Sequence, residues 1–131
     1  MKVEVTRGVL ETLRAKASAA HPRECCGLLL GYGGRIAIAV PCANVAGDPL
    51  RHFEIDPAAL IAAHRTEREG GAQVVGYYHS HPNGRTVPSA TDRASAARDG
   101  QLWAIVAGKE IALWRDGADR FEALSYTVID G

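Results

Sequence analysis

The chain has 131 residues, is 47% hydrophobic and balances 15 basic against 15 acidic side chains. These figures fit one domain across residues 1–131 with a core of its own, and they exclude the charge signature of a polyanion binder, so nucleic acid and membrane surfaces are set aside as partners. The start, Met1-Lys2-Val3-Glu4, lacks the apolar core of a secretory signal, and no apolar run approaches the roughly 20 residues of a spanning helix, so a cytoplasmic location is expected. Three cysteines, Cys25, Cys26 and Cys42, are an odd number with two adjacent and no Cys-x-x-Cys pair. That is a poor disulfide framework, and they read as buried small apolar side chains in a reducing compartment.

Between Thr6 and Ala20, Leu10, Leu13, Ala17 and Ala20 form the stripe of an amphipathic helix, which His21-Pro22 ends. Cys25 to Leu30 reads as a buried strand running into a turn at Gly31-Tyr32-Gly33-Gly34, and Arg35 to Val40, with Ile36, Ile38 and Val40 on one face, as its hairpin partner. Pro41 to Pro49 has loop chemistry, and Leu50 to Ile55 reads as a short strand. Asp56-Pro57 supplies an N-cap and a first-turn proline, Ala58 to Glu69 favours helix, and Gly70-Gly71 stops it. The apolar run Val74 to Tyr78 is a strand leading into His79 and His81. After the loop from Pro82 to Pro88, a helix is expected from Ser89 to about Arg98, ending at Gly100. Strands follow at Leu102 to Ala107, Glu110 to Trp114 and Arg120 to Val128, the last two joined across Asp116-Gly117. The order α-β-β-β-α-β-α-β-β-β predicts a mixed sheet covered by helices, a layered α/β or α+β fold.

The chemistry concentrates between Tyr77 and Asp92. Strand side chains alternate faces, so His79 and His81 point the same way, and the turn Pro82-Asn83-Gly84 followed by a helix start brings Asp92 back toward them. Two imidazoles and one carboxylate match a catalytic zinc site, which keeps three protein ligands and leaves a fourth position for a water whose pKa the metal lowers to around 7. A 2-His-1-carboxylate iron site has the same ligands and stays open on identity alone. Glu24, where the first helix gives way to a strand, is the candidate general base, although a connector glutamate is commonly just solvated. Ser89 and Asp92 also fit a capping box, which would by itself explain both. The joint pattern His-x-His-x7-Ser-x2-Asp arises by chance in well under ~1 in 1,000 chains of this length. Arg85, in the loop between the ligands, is either solvated or placed to meet a substrate carboxylate. His21, His52 and His64 read as surface or hydrogen-bonded histidines.

The residues Glu24, His79-Ser80-His81-Pro82 and Ser89-Ala90-Thr91-Asp92 together resemble the JAMM motif of the MPN-plus metalloprotease family, small prokaryotic members in particular. Glu24-Cys25-Cys26-Gly27-Leu28-Leu29-Leu30-Gly31 and Phe53-Glu54-Ile55-Asp56-Pro57 are similar to stretches of the same members. The resemblance implies an MPN domain, a curved mixed sheet flanked by helices and distantly similar to cytidine-deaminase folds. The deaminase signature, His-x-Glu followed by Pro-Cys-x-x-Cys, is missing because the chain has no Cys-x-x-Cys, which removes base deamination. It also implies a Zn2+-dependent hydrolase of peptide or isopeptide bonds at the C-terminal tail of a ubiquitin-like or sulfur-carrier protein. On that likeness His79, His81 and Asp92 hold the metal, Glu24 moves the proton and Ser89 steadies the oxyanion. The rival is a non-catalytic MPN-type interaction module, and the oligomeric state is left open, a homodimer included.

Overall fold

The structure is a computed structural model that describes residues 2–131. Strand β1 (Glu4–Thr6) leads directly into helix α1 (Arg7–Ala20), whose N-cap is Thr6, its side chain accepting from the Val9 amide. Strands β2 (Cys26–Tyr32) and β3 (Arg35–Cys42) form the expected hairpin. The turn is tighter than glycine spacing suggests: β2 continues through Tyr32, and only Gly33 and Gly34 separate the strands. Gly31 sits at a register shift where any Cβ would collide with the Arg35 carbonyl, so this irregularity needs glycine.

No strand forms at Leu50 to Ile55, where a single bridge pairs Asn44 with Ile55. The Asn44 side chain does the work of a ladder there. Its Oδ1 accepts from the Ala46 and Glu54 amides, and its Nδ2 donates to the Glu24 and His52 carbonyls, at 2.9–3.0 Å. Helix α2 (Pro57–Arg68) then starts at the Asp56 cap, and β4 (Gln73–Ser80) runs through the middle of the sheet. Helix α3 (Ala90–Ser95) is shorter than expected. The chain leaves it extended at Ala96, and buried Asp116 takes the Arg98 amide at 3.0 Å, drawing the segment away before another turn can form.

Strands β5 (Leu102–Ala107), β6 (Glu110–Asp116), β7 (Phe121–Leu124) and β8 (Thr127–Ile129) complete the molecule. The segment expected as one strand from Arg120 to Val128 is therefore two, and the two lie at opposite ends of the sheet, in the order β7-β6-β5-β4-β2-β3-β1-β8. Only Ser125 and Tyr126 connect them. Three Cα–Cα steps reach at most about 11 Å, so the sheet must curl until its edges nearly meet. Tyr126 fastens the crossing by donating its hydroxyl to the Ile111 carbonyl at 2.8 Å.

The curl encloses α1. Val9, Leu10 and Leu13 pack against Val5, Leu29, Ile36, Tyr78, Leu102 and Val106 in the main core, each buried side chain contributing roughly 1.5–3 kcal/mol. The other face is thinner. Cys26, Leu28 and Ile55 are its buried centre, with Ala59, Leu60 and Ala63 of α2 only half-buried against it. Gly76 lets β4 and β5 lie side by side, since a Cβ there would strike the Leu102 carbonyl. No helix among the described residues is long and apolar enough to cross a membrane. Asn44→Ala should lower stability by about 2 kcal/mol, read as a shifted urea midpoint, because it strips four backbone groups of their partner while removing little apolar surface.

Candidate metal centre and catalytic groups

Central strand β4 pairs with β2 on one side and β5 on the other, so His79 stands between Cys26 and Ile105. His81 lies past the strand's end but stays extended because its amide donates to the Val106 carbonyl at 2.8 Å. Ser80, between them, faces the other way. Its Oγ accepts from the Cys25 amide at 2.8 Å and its own amide donates to the Cys25 carbonyl, which ties the end of β4 to the start of β2.

Asp92 arrives from α3. The Ser89 Oγ accepts the Asp92 amide at 3.0 Å, and Asp92 Oδ2 accepts the Ser89 amide at 2.9 Å, a complete capping box. The same Oδ2 lies 3.2 Å from His79 Nε2 and 3.0 Å from His81 Nε2, and the two ring nitrogens are 2.9 Å apart. All three residues are buried, at 0%, 6% and 4% exposure for His79, His81 and Asp92. Capping and convergence are thus both present in one carboxylate.

Three ligand atoms converging in a buried spot can hold a cation among them. Ligands at about 2.0–2.2 Å in a tetrahedron are spaced about 3.3 Å, close to the distances found, so the donor set fits zinc. The His81 ring is already turned for it, since Nδ1 donates to the Arg85 carbonyl at 2.8 Å and leaves Nε2 as the free lone pair. His79 is steadied differently. Its Nδ1 has no partner among the described residues, and the ring stacks on Phe53 at 4.2 Å with the edge of Trp103 at 5.6 Å. Burial holds the His79 pKa below its usual range, outweighing the nearby Asp92. Burial also opposes charge on His81, but the bonds to Asp92 and the Arg85 carbonyl outweigh it and raise that pKa. Asp92 resists the same burial and is held well below the usual carboxylate range by the two imidazoles.

Glu24 is 7% exposed and locked by its backbone, its amide donating to the Pro49 carbonyl and its carbonyl accepting from Asn44. It shares with Asp92 the wall of a cleft of about 250 Å³, lined also by Phe53, Ile55, Leu60 and Trp103. Burial pushes its carboxyl up to about 7, with His81 opposing and Asp92 and Asp48 adding to the rise. Ser89 borders a second cleft beside His81, Arg85 and Arg93, and its hydroxyl proton is still free to be donated, since the cap uses only the oxygen's lone pair.

Some contributors carry no signal in the sequence. The Arg85 carbonyl orients His81, and a carbonyl has no residue identity. Phe53 stacks on His79 only because the Asn44 knot folds the 44–55 loop over the strand. His21, His52 and His64 stay outside the metal group, and His64 lies 3.5 Å from Glu67 on α2.

The family model for prokaryotic homologs of the JAB domain matches residues 6–117, a span that contains Glu24, His79, His81, Ser89 and Asp92. The chain belongs to this family. A desampylase from Haloferax volcanii is 36% identical over 124 residues, covering 92% of this chain and 88% of that protein. A probable TtuB-protein conjugate cleaving protease from Thermus thermophilus is 36% identical over 88 residues, 67% of this chain and 59% of that one. Among solved structures, a JAB1/MPN domain protein from Archaeoglobus fulgidus superposes with a TM-score of 0.66 at 22% identity, covering 98% of each chain, which shows the MPN fold.

A carboxyl raised from 4.5 to about 7 binds a proton on folding, so its contribution to stability is full below pH 4.5 and is lost as the pH rises through 7. In zinc-free protein, Glu24→Gln should therefore gain stability relative to the parent as pH rises from about 5 to about 8, by about 1–2 kcal/mol. Denaturant midpoints of the two proteins across that range check it.

Proposed function

We propose that this JAB-family chain is a zinc-dependent hydrolase, a JAMM-type metallopeptidase that cleaves a peptide or isopeptide bond at the C-terminal tail of a ubiquitin-like or sulfur-carrier protein. The observation that carries the reading is the buried convergence of His79, His81 and Asp92 beside a glutamate kept near neutrality. The relatives named for desampylation and for cleaving protein conjugates support the substrate class.

His79, His81 and Asp92 hold the metal. Zinc there supplies a Lewis acid that polarises a carbonyl and makes water acidic enough to attack at neutral pH. Glu24 takes a proton onto its carboxylate from the attacking water and returns it to the leaving nitrogen, a task suited to a group poised near 7. Ser89 Oγ–H donates to the oxygen on which negative charge grows. Phe53, Leu60 and Trp103 exclude water and receive the apolar residues of an extended tail in the cleft that Glu24 borders.

Purified protein should carry zinc near one per chain, and folded His81→Ala should lose it, as read by elemental analysis. Glu24→Gln should keep the zinc and lose about 10²–10⁴-fold in turnover of a tail-linked isopeptide substrate. An unchanged rate in that zinc-replete variant would remove Glu24 from the proton transfer, whereas no turnover by the zinc-replete parent would return the protein to the interaction-module reading. Ser89→Ala should cost about 1 kcal/mol of stability as a lost cap and about 10²–10³-fold in kcat as a lost donor.

A further inference from the structure

A cleft of about 740 Å³ opens beside His81 and is distinct from the apolar cleft along Glu24. It lies between the outer side of α1, the α1–β2 connector, the end of β4 and the β5–β6 turn. Its charged lining is of one sign: Arg14, Arg23 and Lys109, with His21 beside them and no Asp or Glu. The whole chain carries 15 bases and 15 acids, so an overall basic surplus does not account for this clustering. Arg14, Arg23 and Lys109 are absent from the ion pairs among the described residues, so no acidic side chain competes for them. Arg14 Nε donates to the Lys109 carbonyl at 2.9 Å, which ties the guanidinium to the β5–β6 turn at the edge of the cleft. A cleft lined by bases without an acid presents a positive potential that favours an anionic ligand.

The two clefts approach the metal group from different sides, the basic one opening on the α1 face at the sheet end and touching the group through His81, the apolar one through Asp92. Arg23 and Glu24 are consecutive, yet the first lines the basic cleft and the second the apolar one, while His81 borders the basic cleft and Asp92 the apolar one. An extended polypeptide crossing this divide would place one bond at His79, His81 and Asp92. The apolar side suits the tail that supplies the acyl group; of the two basic clefts at His81, the one bordered by Ser89 faces the carbonyl oxygen, which leaves the Arg23 side for what is attached to the amine. The volume falls in the range of about 300–1,000 Å³ that accommodates ligands well beyond one amino acid.

We propose that the cleft of Arg14, Arg23 and Lys109 binds an acidic polypeptide segment flanking the amine from which the tail is released. The assignment rests on the peptidase reading above and names the side of the substrate which that reading leaves unspecified. Surface charge pairs each change an equilibrium by about 1.4- to 5-fold, so three together give on the order of 10-fold.

The test uses zinc-loaded protein and the triple variant R14Q/R23Q/K109Q, with zinc content and thermal midpoint confirming that the variant is folded. Fluorescein-labelled peptides alternating serine with either glutamate or glutamine are titrated by anisotropy. The parent should prefer the glutamate peptide by about 10-fold at low salt, and both the triple variant and added salt should bring the ratio to near one. In parallel, two isopeptide probes join a Gly-Gly-terminated tail to a lysine flanked by glutamates or by glutamines. The acidic flanks should lower KM about 10-fold in the parent and not in the triple variant, at similar kcat. Equal affinity for the two peptides, or a preference that survives the triple substitution, would overturn the proposal. Free glutamate competing as well as the peptide would replace the polypeptide with a single amino acid as occupant. If neither isopeptide probe is cleaved while the peptide preference is present and charge-dependent, the peptidase reading falls and with it the scissile amine, and only a site for acidic peptide stands.

Discussion

One oxygen atom, Oδ2 of Asp92, ties the folding of this protein to its chemistry. It accepts the Ser89 amide that starts α3 and faces both imidazoles of the metal group at 3.0–3.2 Å. A carboxylate at 4% exposure is costly to keep ionised, and here the cost is offset by contacts from two separate elements. The cap holds Asp92 in place, and the sheet holds the histidines. Because β4 is clamped between β2 and β5, neither partner can drift without breaking ladder hydrogen bonds. The site is therefore as rigid as the middle of the sheet, which is what a preorganised ligand set requires.

The two faces of the sheet serve different ends. The face enclosing α1 holds most of the buried apolar side chains and the bulk of the packing energy. The face carrying the histidines is covered by a helix with no fully buried residue and by a loop pinned through one asparagine. Stability is thus drawn from the side away from the chemistry. The site side keeps room for a substrate and for a glutamate whose carboxyl burial pushes to about 7.

Features set by local chemistry were legible in the sequence. The two-residue spacing of His79 and His81, the Asp56-Pro57 helix start and the Ser89 to Asp92 cap all read correctly because each depends on residues within a few positions. The mixed α+β class and the family likeness were legible for the same reason. Features that depend on distant partners were not. Strands β1 and β8 are three residues each and exist only because they pair with one another and with β3, so no periodicity announces them. Leu50 to Ile55 has the alternation of a strand, but the Asn44 side chain intercepts the backbone groups a ladder would use. Asp116, 18 residues from the amide it captures, shortens α3. The Arg85 carbonyl is invisible to any reading of side chains.

The pairing of β8 with β1 also sets an order of events. As the chain is made, Glu4 to Thr6 emerges early and α1 can form on the Thr6 cap at once, but the outer edge of β1 has no neighbour until Thr127 to Ile129 appears. Until then that edge offers unpaired amides and carbonyls to any passing strand. The curl over α1 therefore cannot close before β8 is made, and a ribosome stalled short of residue 127 would hold an open sheet.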